Sequence, residues 1–519
     1  MNITQPHKKI KVRHRNGVKR KRVVHMLGGC GPATLYNVHN PSLVNLVRGV
    51  NDRVFMVDYG RGLQSPIRPS HRGFRESVDP AFKFLRRNRV ALRRWTYDQL
   101  VDHYRVAQLR KRYERAKLSV EEKPLSRRDA WVKTFVKAEK VNFSAKNDPA
   151  PRIISPRDPR YNLVVGTYIK PIEGFLYKLL NKMCGGRTVM KGLNSIQTAE
   201  AMHDAWSEFS DPVGVPLDAK RFDQHTHTAA LKFEQLVYLL FFHGVEKEEL
   251  RTLLMWQLVS ECAGYTPEGF VKFVMMIRAS GDMNTGLGTC LIACALIYSY
   301  LHRRVAHWRL INNGDDCVII VEKKDLHKLD GLFKHCKRAG YWMVIEKPVS
   351  TFEEIEFCQC KPVLTGNGWR MVRTFPTSMA KDMVSLLPLR SMQDWKKWAN
   401  DIGNCGLALN SGVPVLQTFY DRIRQLGGGS FGDHPFLMRS GMWFQAQDME
   451  SEATPITQDA RYSFYLAFGL SPAEQEAIEE HIRLMDITLE PGCMGNYNID
   501  TLRQRLHTFY DEVLNITQN

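Results

Sequence analysis

Apolar positions along the chain fall into short and long runs, and each length predicts a different element. Val213, Val215 and Leu217 form a short run that ends at Asp218 and reads as a buried strand. Residues 308–312 and 317–321 are two more, flanking Asn313-Gly314-Asp315. That pattern predicts a β-hairpin with acids at its tip. The longest apolar run, 289–301, has no charged face and reads as a buried helix. It follows a glycine-rich loop carrying Ser280, Asn284 and Thr285, and it is shorter than the roughly 20 residues a bilayer span needs. Beyond Thr374 the pattern is mostly helical. Residues 415–426 are amphipathic, and Ser471-Pro472-Ala473-Glu474 is a capping box opening a helix to about Met485. Asp500 caps another, with Leu502, Leu506, Phe509 and Val513 along one face.

A chain of 519 residues suggests three or four packed units. Its 44% hydrophobic and 24% charged residues exclude a disordered or fibrous chain. Lys and Arg total 73 against 54 acids, and the net charge of +19 predicts a polyanionic partner, with nucleic acid the default. Eleven scattered cysteines without a CxxC pair indicate neither a disulfide framework nor a zinc module, and fit a reducing, cytosolic setting. The basic first 24 residues lack the apolar core of a signal peptide.

The charge is concentrated in two places. Residues 1–51 hold ten Lys or Arg and no acid, which reads as a flexible arm closed off by Gly28, Gly29, Gly31 and Pro32. Such an arm suits RNA contact, a solvated tail or an import signal. Residues 83–117 hold twelve more, including Arg86, Arg87, Arg93 and Arg94, against three acids. Those arginines are expected to line a phosphate-tracking channel, with Trp95, Tyr97, Tyr104 and Tyr113 in the core.

Chemistry is carried by three separated motifs: Asp218-x4-Asp223, Ser280-Gly281-Asp282-Met283-Asn284-Thr285, and Gly314-Asp315-Asp316. Asp-x4-Asp alone occurs by chance in a chain this long. Together the three imply two-metal phosphoryl transfer, in which carboxylates bridge two ions that serve the attacking and leaving oxygens. Oxygen ligands suit Mg²⁺, or Mn²⁺, over zinc. Asp218 and Asp315 are the expected ligands, with Asp316 beside them.

In this order the motifs resemble motifs A, B and C of a viral RNA-dependent RNA polymerase. The wording DAKRFDQHT, SGDMNTGLG and NNGDDCVII is similar to the Tombusviridae and umbravirus-like plant-virus enzymes. Residues 135–162 resemble motif F of that family, 340–349 motif D and 356–363 motif E. The resemblance implies an α+β right-hand fold with fingers, an antiparallel-sheet palm and a helical thumb. On that pattern 1–80 is a basic N-terminal arm and extension, 81–374 fingers and palm (motif A 213–223, B 278–289, C 308–321), and 375–519 the thumb.

The same resemblance implies residue roles. Asp218 and Asp315 would hold the two metals, with Asp316. Asp223 would read the ribose 2′-OH, helped by Ser280, Asn284 and Thr285. Arg152 would grip the triphosphate, with Lys137, Lys140 and Lys146 lining the nucleotide tunnel. Lys347 is the position for a proton donor to pyrophosphate, or else a solvated loop lysine. Arg152 could equally pair with Asp148 or Asp158. Residues 357–361, from Phe357 to Lys361, would form a strand supporting the nascent 3′ end. One departure stands out: Thr289 occupies a position where the wider pattern has Asn, keeping a hydroxyl but losing the amide.

Several features read as decoys. His225 and His227 suit packing or capping, Cys358 and Cys360 suit strand packing, and 427–432 fits GxGxxG without a preceding strand. The expected reaction is RNA-templated RNA synthesis from NTPs, with template and product RNA as partners. A reverse transcriptase is the nearest rival, though such enzymes usually carry an aromatic where Asp223 stands. A non-catalytic RNA-binding or capsid protein would leave the acids without purpose. The family further implies an upstream viral replication protein, host factors, and membrane-associated replication sites in the host cytoplasm.

Overall fold

The computed structural model describes residues 6–27, 36–145, 148–428 and 441–486. Its centre is a four-stranded antiparallel sheet in the order Trp308–Asn313, Asp316–Glu322, Pro212–Ala219, Met343–Ile345. Both faces of this sheet are covered, which is why its strands read as unbroken apolar runs. Cys317, Ile319 and Val321 face one core, while Val318 and Ile320 face a second behind the sheet. The first core is filled by helix Thr285–Leu301, buried along nearly its whole length, and by helices His71–Arg87, Pro159–Met183 and Thr228–Tyr238. Helix Ser195–Trp206 covers the second face.

A second four-stranded sheet runs Lys11–His14, Gly269–Met275, Ser260–Thr266, Val132–Lys133, the last pairing parallel. Its first strand corrects the expectation of a flexible N-terminal arm. Lys11 pairs with Lys272 and His14 with Gly269, while Ile10 is buried beneath. Further on, the Arg22 guanidinium donates to the carbonyls of His39, Val136 and Lys137. His25–Met26 then pairs with Val384–Ser385, and Leu27 is buried in the C-terminal core. Residues 6–27 therefore strap the second sheet to the C-terminal helices. Lysines and arginines on an edge strand are as much a guard against further pairing as a nucleic-acid signal, so the charge alone did not reveal the strand. Gly28, Gly29, Gly31 and Pro32 lie outside the described residues.

The C-terminal layer is helical, as its periodicity predicts. Helices Met392–Asn410, Leu416–Leu426, Gln458–Phe468 and Pro472–Leu484 pack around Trp395, Trp398, Phe419, Tyr420 and Phe464. Both halves of the Ser471/Glu474 capping box are formed. Asp500 and its helix, and most of 427–432, lie outside the described residues. A hairpin of Cys360–Thr365 and Gly368–Arg373 joins this layer to the central sheet, since Val363 and Val372 face the C-terminal core while Cys360 and Met371 face the other way. Among the described residues no helix is long and apolar enough to cross a membrane.

Candidate active site

Register brings the acids together. Leu217 is paired with Cys317 and Asn313 with Asp316, so Asp218 and Asp316 are the next opposed positions and Asp315 sits in the turn. The turn is two residues, Gly314 and Asp315, and Gly314 adopts φ +83, a left-handed conformation that glycine accepts without strain. Asn312 pins it, donating from its side chain to the Gly314 carbonyl at 2.7 Å. All three carboxylates are exposed at this end of the sheet. The protein walls still push Asp315 and Asp316 above the ordinary carboxylate value; Asp218 adds to both, and Lys191 opposes. Adjacent carboxylates that raise one another's affinity for protons are suited to sharing cations.

These donors fit hard divalent ions. Among the described residues no three acidic, His or Cys side chains are gathered into a group that could hold a metal ion by itself. Mg²⁺ does not need one, because it keeps waters and substrate phosphates alongside one or two carboxylates.

Behind the acids lies a buried polar layer. Arg278 pairs with Glu234, both fully buried, and donates to the Asn284 carbonyl at 3.2 Å. Glu234 also accepts from the Asn284 amide and from the Tyr238 hydroxyl, and Gln257 donates to Asn284 Oδ1 at 2.9 Å. A Cβ on Gly288 would come within 2.4 Å of the Glu234 carboxylate, so only glycine lets the helix approach it. Arg157 likewise pairs with Asp282 and reaches Ser260 and the Ala130 carbonyl. Asn284 is thus committed to the scaffold, and the structure does not free its amide for a sugar. Thr289 is committed too: its hydroxyl donates to Thr285 O at 2.7 Å within its own helix.

Asp223 follows Asp218 in the short helix Phe222–His225. Burial pushes its carboxyl up to about 6, against Arg278, with Asp315 adding. Ser280 Oγ accepts from the Ser155 N–H at 3.1 Å, which leaves its own proton to donate. Thr285 donates its hydroxyl proton to Ala279 O.

Cations approach from the 135–154 side. Arg152 and Lys137 both pair with Glu139, at 3.5 and 2.8 Å, rather than Arg152 with Asp148 or Asp158. Arg152 is more than half exposed, and its charge is felt at Asp315. Arg53 and Arg221, which no sequence motif singled out, stand close by. Burial, with Arg221 and Arg152 adding to it, lowers Arg53 to about 10. Lys191 is a third addition, donating to Asn313 Oδ1 at 3.0 Å beside the Gly314-Asp315 turn. Its local sequence offers no signal; only the pairing of the preceding Val189 and Met190 with Asn312 places it.

Other expected site residues go elsewhere. Lys140 donates to the Lys381 carbonyl at 2.7 Å, a contact with the C-terminal layer, and burial lowers it to about 8. Lys361 is tied to Ala467 O at 2.8 Å, and Phe357 is buried in the core. Residues 357–360 form a tight turn, not a strand, because Cys358 and Gln359 are both left-handed and Phe357 bonds to Cys360 in both directions; the strand begins at Cys360. Arg86 and Arg87 lie beside Phe84, which touches Tyr298 at the far end of helix Thr285–Leu301. At about 1.5 Å per residue Tyr298 is roughly 20 Å along that helix from Thr285, so these two arginines stand away from the acids. Arg94 is committed to Glu249 and the Tyr168 hydroxyl, and Arg93 is exposed on the same loop. Lys347 is exposed two residues beyond Ile345, which pairs with Leu217. Lys146 lies outside the described residues. His225 and His227 are held near 4 by burial, bonded to Tyr59 and to Ala339 O.

Comparison with known proteins agrees with this geometry. The chain matches the family described as viral RNA dependent RNA polymerase over residues 10–490. It is 39% identical over 477 residues to a protein of Tobacco necrosis virus (strain D) named RNA-directed RNA polymerase, covering 88% of this chain and 64% of that one. Proteins of the same name from Turnip crinkle virus and Groundnut rosette virus (strain MC1) are 38% and 39% identical, covering 92% and 91% of this chain and 61% and 55% of theirs. The chain thus spans about three fifths of the length of these relatives. With a family match across most of its length and the three acids at one sheet end, the chain belongs to the viral RNA-dependent RNA polymerase family.

Proposed function

We propose that this chain copies RNA into RNA, joining the 3′-hydroxyl of a growing strand to the α-phosphate of an NTP and releasing pyrophosphate. The observation that carries this reading is the register that sets Asp218 against Asp315 and Asp316, with Asp223 behind. The central sheet is the palm in this reading, the second sheet and its neighbours belong to the fingers, and the C-terminal helices are the thumb. Asp218 and Asp315, with Asp316, would hold two Mg²⁺ or Mn²⁺ ions. When bound, these ions lower the pKa of the attacking hydroxyl and neutralise charge on the departing pyrophosphate.

The chain's own residues do the rest. Asp223, ionised above about pH 6, accepts the ribose 2′-OH, and Ser280 donates to the sugar. An acceptor here welcomes a ribonucleotide, where a bulky side chain would exclude it. Arg152 and Lys137 take the triphosphate once Glu139 releases them, with Arg53 and Arg221 behind. Lys347, exposed beyond the strand that pairs with Leu217, would supply a proton to the leaving group. Template and product RNA occupy the cleft, and an upstream viral replication protein and host factors bring the chain to membrane-associated replication complexes in the host cytoplasm.

The test is primer extension on an RNA template with Mg²⁺, supplying ribo- or deoxynucleotides, for the wild type and Asp315→Ala. Ribonucleotide incorporation that the variant loses supports the reading. Incorporation of deoxynucleotides alone would point to a reverse transcriptase and overturn the role of Asp223.

A further inference from the structure

Lys191 stands where no motif predicts a cation. The stretch before it is an edge extension of the catalytic hairpin: Asn312 N–H donates to Thr188 O at 2.8 Å, and Met190 N–H to Asn312 O at 2.9 Å. Asn181 Oδ1 fixes the start of that stretch, accepting from the N–H groups of Thr188 and Val189. The lysine stem then passes over Gly286, whose Cβ position lies 3.6 Å from Lys191 Cε. Its ammonium thereby reaches Asn313, the residue that opens the Gly314-Asp315 turn.

Two further facts narrow its role. Among the described residues Lys191 forms no ion pair, and Asn313 accepts only one of its three protons. A cation meant merely to neutralise the acids would sit on one of them. Arg152 and Lys137 flank the paired strands Phe135–Val136 and Ile153–Ile154, whereas Lys191 follows an extension of the hairpin itself. Asn313, which accepts from Lys191, also lines a cavity of about 80 Å³ between Met190, Asn194, the Phe357–Cys358 turn, and Asn410 of the C-terminal layer. Arg152 and Lys137 thus stand on the triphosphate side, while Asn313 links Lys191 to a cavity that reaches the C-terminal layer. Nucleotide addition needs both, because the strand being extended also brings a backbone phosphate close to its reacting 3′-hydroxyl.

We propose that Lys191 binds the terminal backbone phosphate of the nascent RNA strand, with Asn313 coupling that grip to the Gly314-Asp315 turn. This rests on the polymerase reading above. The test measures binding of the full chain to two RNAs, a duplex with a recessed 3′ end and the single-stranded template, across a range of salt, for wild type, Lys191→Gln and Lys191→Arg. A lost phosphate contact weakens duplex binding by about tenfold and lowers the salt slope by about one. Lys191→Gln should show both on the duplex and neither on the single strand, and Lys191→Arg should restore duplex binding. A wild-type slope for Lys191→Gln, or equal loss on both RNAs, overturns the proposal. Binding is read without synthesis, so a chain that fails to polymerise would reject the polymerase reading and still leave the slope to decide Lys191.

Discussion

Two groups of acids lie within one neighbourhood of this molecule and are treated in opposite ways. Glu234 and Asp282 are buried, each against an arginine, with further hydrogen bonds taken up by Asn284, Tyr238, Ser260 and the Ala130 carbonyl. Asp218, Asp315 and Asp316 are exposed, and among the described residues none of them forms an ion pair. A buried charge must be paired inside the fold, because leaving it alone costs several kcal/mol. A carboxylate at the open end of a sheet can stay unpaired in water and wait for a ligand. The first group builds the platform and the second does the chemistry, so substitutions should separate stability from activity.

The largest effect should come from the open group. Asp218→Ala or Asp315→Ala should reduce RNA synthesis about 10³-fold or more, while the denaturation midpoint stays level or rises because mutual repulsion is relieved. Urea unfolding beside a primer-extension assay reads both. The buried group should answer the other way: Glu234→Ala strands Arg278 and should cost about 3–5 kcal/mol of stability, seen as a lower urea midpoint.

Asp223 lies between the two groups and sharpens the contrast through pH. Its folded value of about 6 lies above its ordinary 3.8, so the folded state holds the proton more tightly. Its stabilising contribution is complete below about pH 3.8 and is lost as pH rises through 6. Asp223→Asn should therefore melt about 2–4 °C higher than wild type at pH 8 without metal, the gain fading toward pH 4, and should discriminate less against deoxynucleotides. The smallest effect belongs to the N-terminal strap. Arg22→Ala removes donors to three carbonyls and should cost about 1–2 kcal/mol, measured by chemical denaturation.

Elements set by local pattern were readable in the sequence. The apolar runs around 313–316 gave the hairpin, the uncharged run 289–301 gave the buried helix, and Ser471 with Glu474 gave a helix start. Residues whose role depends on distant pairing were not. Lys191 is placed by Asn312, more than a hundred positions away, and Lys140 is drawn to Lys381 by the packing of two layers. Charge runs do not place their residues, for a physical reason: composition counts arginines without their partners. Arg94 has Glu249, Arg22 has three carbonyls, and Arg86 and Arg87 stand at the far end of a helix. Asn284 shows the same limit inside a motif, since Glu234 and Gln257, which occupy its amide, come from other helices and loops.

The most direct measurement counts bound Mn²⁺ by electron paramagnetic resonance, in the full chain with primer–template and a non-hydrolysable NTP. Two ions are expected in the wild type and in Asp223→Asn, and fewer than one in Asp315→Ala. If Asp315→Ala keeps both ions, the exposed acids are not the metal site and the division between platform and chemistry fails.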